Sequence, residues 1–188
     1  MESKAGQLII AGVDMLDPNF AQTVTLIVEH TADGALGLVL NRPSKTLTTE
    51  AWRQVEDGPC LVEGWVHQGG PCPGPMMLLH DHEIRTQVTV ELPGDEPAVQ
   101  FTADADDIRA LMAEPPGRVR VFAGYAGWGG GQLEDELERA SWIVTDATHD
   151  AVFDGGPDLW SRLLRKINPA QAAVIENPDI VPPDPSMN

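Results

Sequence analysis

Five histidines, two cysteines and 29 carboxylates carry most of the chemistry open to this 188-residue chain. His80-Asp81-His82-Glu83 sets imidazoles beside carboxylates, ligand types that suit zinc or iron. On a strand His80 and His82 would share a face, and a closed metal site would then need His30, His67, Cys60 or Cys72 from elsewhere. A polar strand end accounts for the same four residues without a metal. His30 follows an apolar run and reads as a hydrogen-bonded strand terminus; the competing reading joins it to His80 and nearby acids in a small-ligand or metal-binding enzyme. Hydrolytic chemistry has less to work with. There is no G-x-S-x-G elbow and no H-E-x-x-H pair, and Ser44, Ser141 and Ser161 are the only serines between the termini. Glu56, Asp57 and Glu63 surround Cys60 with the wrong charge for activating a thiol. No catalytic set, metal or cofactor follows from these residues.

The sterically most demanding stretch is Gly124-Tyr125-Ala126-Gly127-Trp128-Gly129-Gly130-Gly131-Gln132, with five glycines at an expected strand-to-helix junction. Free N–H groups at a helix start suit an anion. Against a phosphate cradle, neither G-x-x-x-x-G-K-[ST] nor G-x-G-x-x-G occurs, no Lys or Arg stands between Gly124 and Glu138, and Glu134, Asp135 and Glu136 load the first turn with negative charge. The alternative is a structural turn that packs Tyr125 against Trp128. The carboxylates of 134–138 read as a solvated helix face. Asn41-Arg42-Pro43 offers a guanidinium at a strand end, either a clamp for a carboxylate or phosphate or one half of an internal ion pair. Asn41, Arg42, Gly124, Tyr125, Gly127, Trp128, Gly129, Gln132 and His80 are accordingly the candidate ligand- or partner-binding residues. Exposure of Trp128 and Tyr125 in one apolar patch would mark a protein interface.

The elements that must position these residues are legible as short runs. Residues 7–11, 23–29 and 35–40 are rich in Leu, Ile, Val and Thr and read as strands, with Pro43 ending the third. A short helix is expected over 48–55, with Trp52 and Val55 inward. Strands are expected over 60–67 and 76–80 around a proline-rich turn, and a strand pair over 87–92 and 98–102. Asp104 can cap a helix bearing Ile108, Leu111 and Met112 on one face. Residues 118–125 alternate Val119, Val121 and Ala123 against Arg118, Arg120 and Phe122, as a strand before the glycines. A helix from about Gln132 places Leu133, Leu137 and Ala140 together, 142–145 returns to strand, and a helix from Pro157 buries Leu159, Trp160, Leu163, Leu164 and Ile167. These make one domain over 1–167, followed by a Pro-rich acidic tail over 168–188.

Twelve bases against 29 acids give a net charge of −17, which opposes direct binding to nucleic acid. Two sparse cysteines form no redox pair or disulfide framework. No basic-then-apolar leader opens the chain and no apolar run reaches membrane-helix length, so the cytoplasm is the expected compartment and no membrane partner is implied.

Taken in order, Leu8-Ile9-Ile10-Ala11, Asp17-Pro18-Asn19-Phe20, Val28-Glu29-His30, the run from Gly34-Ala35-Leu36-Gly37 to Asn41-Arg42-Pro43, Gly69-Gly70-Pro71, Leu78-Leu79-His80, and the glycine segment through Glu134 resemble the YqgE/AlgH family. Val13 and Cys72 depart from it, standing where the family usually has a proline and a small aliphatic residue. The resemblance implies an α+β fold with coiled, mixed β-sheets flanked by a few helices. It brings no settled activity, cofactor or catalytic residue, although one member is described as a transcriptional regulator of alginate synthesis. The expectation is a non-catalytic binding or regulatory protein acting on an unidentified protein partner or small ligand.

Overall fold

The computed structural model describes residues 2–82, 88–115 and 117–176. Ten strands form one sheet: β1 (Gln7–Ala11), β2 (Val24–Thr31), β3 (Gly34–Val39), β4 (Pro43–Leu47), β5 (Trp65–Gln68), β6 (Cys72–His80), β7 (Val88–Val90), β8 (Val99–Thr102), β9 (Val119–Gly129) and β10 (Trp142–Asp146). Among the described residues six helices flank it: α1 (Thr48–Val55), α2 (Ala105–Ala113), α3 (Gln132–Glu138), α4 (His149–Phe153), α5 (Leu159–Ile167) and α6 (Pro169–Glu176). The main path runs β10-β1-β2-β3-β9-β6-β8-β7, with β4 and β5 attached beside β9. Every pairing among the described residues is antiparallel except β5 with β9, which makes the sheet mixed.

The eleven-residue β9 organises the curl. One of its edges pairs with β5 at Phe122–Ala123 and then with β3 from Ala126 to Gly129, while its other edge pairs with β6. Gly124 and Tyr125 lie where that edge passes from one partner to the next. The larger core lies along β1, β2, β3 and the far half of β9, closed by Leu159, Trp160 and Leu164 of α5. Trp160 Nε1 donates to the Ala11 carbonyl at 2.8 Å, fixing α5 to the first strand. A smaller core of Trp52, Val66, Leu78, Ile108, Leu111 and Met112 lies under α1 and α2.

Several expected elements stand as read: β1, α1, the β7–β8 pair, and α2 with its inward Ile108, Leu111 and Met112. Asp104 Oδ1 accepts from the amides of Asp106 and Asp107, a side-chain cap on two otherwise unpaired donors. Other expectations are corrected. Pro43 begins β4 rather than closing a strand, in keeping with a proline at the first residue of an edge strand. β6 starts at Cys72 and carries Pro73 and Pro75, because its register slips between Cys72 and Met76 and its pairing with β8 covers only Leu78 to His80. Val55 points outward at 66% exposure. Arg120 and Phe122, expected opposite the buried face of β9, are both buried, since this strand is covered on both faces. Ala140 sits in the left-handed region at φ 56° just past α3, exposed rather than on its buried face. The segment after Asn168 continues as α6, with Ala172 buried. The remainder of the expected tail and Glu83 lie outside the described residues.

Candidate functional site

The site begins with two close backbone approaches. Gly70 follows β5 and lies so near β9 that a Cβ there would fall 2.2 Å from the Tyr125 carbonyl carbon. Gly124 has φ +72°, a left-handed conformation that suits glycine, and its Cβ would meet the Cys72 carbonyl oxygen at 2.8 Å. The 69–71 segment therefore wedges beside β9, and the β6 bulge carries Cys72, Pro73 and Gly74 away from regular pairing. Between this bulge and the β3–β4 junction lies a cavity of about 500 Å³. Its lining includes Arg42, Gln68, Pro71, Cys72 and Gly124.

Asn41 and Arg42 are held by the loop between β1 and β2. Asn41 Nδ2 donates to the Gln22 carbonyl at 2.8 Å, and its Oδ1 accepts from the Val24 amide at 2.9 Å. Arg42 Nη1 donates to the Asn19 carbonyl at 2.6 Å, while Nη2 donates to those of Pro18 and Ala21 at 2.9 and 3.2 Å. Internal pairing with an acid, one of the two sequence expectations for Arg42, is therefore replaced by pairing with backbone dipoles. No carboxylate among the described residues forms an ion pair with it.

The far end of the glycine segment has a different task. Trp128 is only 5% exposed, so it forms no surface patch. Its Nε1 donates to Glu136 Oε2 at 2.9 Å, and Trp142 Nε1 donates to the same oxygen at 2.8 Å. Gln132 Nε2 donates to Glu136 Oε1 at 2.9 Å and its Oε1 accepts from the Gly129 amide. Phe20 stacks on Trp128 and meets Trp142 edge-on, with centroids 6.0 and 5.3 Å apart. Glu134 lies 3.0 Å from His30 Nε2. The acids of α3 are thus not wholly a solvated face: Glu134 and Glu136 turn back onto the sheet. Half-buried Tyr125 stands between the two ends, and its ring lies 3.1 Å from the Cβ position of Gly74 and of Gly127.

The histidines serve separate local structures. His30 Nδ1 accepts the Lys4 amide at 3.0 Å, which leaves Nε2 as the protonated nitrogen of the neutral ring facing Glu134. His80 is fully buried at the end of β6, and its Nδ1 accepts the His82 amide at 3.2 Å. Among the described residues no group of three or more His, Cys, Asp or Glu is placed to hold a metal ion. His67 is held down at about 4 by burial and, secondarily, by the positive charge of Arg120. Burial likewise pulls Arg120 down to about 10; its guanidinium donates to the Leu40 and Val152 carbonyls and lies over Phe122 at 5.6 Å. Gln68 and Cys72 went unrecognised as neighbours of Arg42 in the sequence: the β4–β5 pairing sets Gln68 beside Arg42, whose carbonyl accepts the Gln68 amide at 2.8 Å, and the β6 bulge adds Cys72.

The molecule is thus an α+β protein built on one curled, mixed ten-stranded sheet, with its family-type glycines gathered along β9. Residues 8–172 match the AlgH-like family model, and the chain belongs to that family. UPF0301 proteins from Chlorobium chlorochromatii and Streptomyces avermitilis are 33% and 34% identical to it, over 98% and 100% of this chain and 95% and 97% of theirs. The solution structure of the AlgH protein from Pseudomonas aeruginosa is similar, with a TM-score of 0.70 and 33% identity over 88% of this chain and 92% of that one. The crystal structure of DIP2367 from Corynebacterium diphtheriae superposes with a TM-score of 0.69 at 25% identity, covering 92% of each chain. No described helix is long and apolar enough to cross a membrane.

Proposed function

We propose that the protein is a non-catalytic binding protein whose ligand occupies the cavity lined by Arg42, Gln68 and Gly124. One observation carries this reading. Arg42, Gly70, Pro71 and Gly124 belong to three separate family motifs and line the same cavity. Its volume of about 500 Å³ falls in the range of small-molecule sites. The competing enzyme reading asks His30 and His80 to act together, whereas each ring already accepts a backbone amide at Nδ1. Any regulatory output runs through the ligand-bound state rather than through direct contact with a duplex, which the net charge of −17 opposes.

A thermal-shift screen against small metabolites tests this proposal. A ligand at a hundredfold excess over its Kd adds about 2.7 kcal/mol of stability. The expected result is a hit that is lost in Ala123→Leu, which fills the cavity from its wall, and that is recovered chemically unchanged by mass spectrometry. A hit that survives the filled cavity, or that is turned over, overturns it.

A further inference from the structure

We infer that the ligand of this cavity is a small organic monocarboxylate whose carboxylate is bound by Arg42. This rests on the binding-site reading above and adds the chemical class. Of the described lining residues Arg42 alone carries a formal charge, in a chain where acids outnumber bases 29 to 12. By contrast Arg109, Arg118, Arg139 and Arg162 all pair with carboxylates. A guanidinium stays charged at any physiological pH and has five N–H donors. Three hydrogen bonds to the carbonyls of Pro18, Asn19 and Ala21 fix its orientation without neutralising it. One Nη1–H and the Nε–H have no partner among these three bonds, and an anionic ligand would bring the missing negative charge.

Charge counting then narrows the class. One carboxylate cancels one guanidinium, whereas a phosphate dianion would leave excess negative charge inside a molecule already at −17. Val39, Pro71, Pro73 and Ala123 give the cavity apolar wall for an organic body, and Gln68 adds a neutral amide. A bare inorganic anion would use neither.

Matched probes separate the possibilities: benzoate and 3-phenylpropionate, their amides, and phenyl phosphate, each titrated by amide chemical-shift mapping into wild-type protein, Arg42→Gln, Arg42→Lys and Ala123→Leu. The expected result is saturable binding of the carboxylates with shifts around the cavity, none for the amides, and weaker binding of phenyl phosphate. Arg42→Gln should weaken carboxylate binding by about tenfold or more, Arg42→Lys should restore part of it, and Ala123→Leu should abolish it. Amides or phenyl phosphate binding as well as the carboxylates, with Ala123→Leu still blocking, overturns the carboxylate assignment and leaves the cavity reading standing. Carboxylates indifferent to Ala123→Leu overturn both. Absence of carboxylate binding in a wild-type protein whose amide spectrum is that of a folded chain also overturns the assignment.

Discussion

Glu136 is the residue whose sequence context is most misleading. It sits in a run of acids that looks like solvated helix surface, yet one of its oxygens accepts from two indoles and the other from an amide. Removing it leaves two indole N–H groups without their shared acceptor beneath α3. Glu136→Ala should therefore cost about 2–4 kcal/mol, read as a lower urea midpoint with a changed tryptophan emission spectrum, and Glu136→Gln should cost less. His67 makes a second prediction, with a definite sign. Its folded value near 4 lies below the ordinary 6.5, so the unfolded chain takes up the proton first. The stability from keeping the ring neutral is complete above about 6.5 and is lost as the pH falls toward about 4. For this half-buried ring the loss is about 1–2 kcal/mol after allowance for solvent screening. Urea midpoints at about pH 7 and about pH 4.5 should differ less in His67→Gln than in wild type; an equal pH dependence would remove His67 as the cause.

Among the elements, β9 sets the terms for its neighbours. The glycines in and beside it are not equivalent. Gly70→Ala drives a Cβ into the backbone of Tyr125 where β9 changes partner, and should cost about 3 kcal/mol or more. Gly129→Ala, at the other end of the strand, meets nothing within 4 Å and should change the melting midpoint within about 0.5 kcal/mol. Thermal melts of the two variants decide this directly. Sequence periodicity found β1, α1, α2 and the β7–β8 hairpin because each is short, local and bounded by turn residues or a cap. It mistook the role of Pro43 and missed the start of β6, since an edge position that tolerates proline is a property of the assembled sheet. Strand β9 exceeded its expected length because nothing local announces that a glycine will stay paired: Gly127 and Gly129 remain in register with Leu36 and Gly34. The site was legible in the same uneven way. Arg42 and Gly124 were recognisable as special and do share a cavity, while Trp128 was recognisable only as important, and burial rather than exposure is the reason.

At the scale of the whole molecule, the connections most distant in sequence close the larger core. β1 lies between β2 and β10, and Trp160 of α5 bonds to Ala11 at its end. A chain cut before residue 157 loses Leu159, Trp160 and Leu164 from the core and should lose its cooperative thermal transition, whereas Trp160→Phe should keep the transition at a lower midpoint. The same geometry sets an order in time. Leu8, Ile9 and Ile10 are translated more than a hundred residues before Thr145, Val144 and Ile143, their partners across the strand. While the residues between them are made, the nascent protein therefore carries an apolar strand with one edge unmatched. For that interval β2 can cover one edge, while the edge that β10 will take stays open to pairing with another chain.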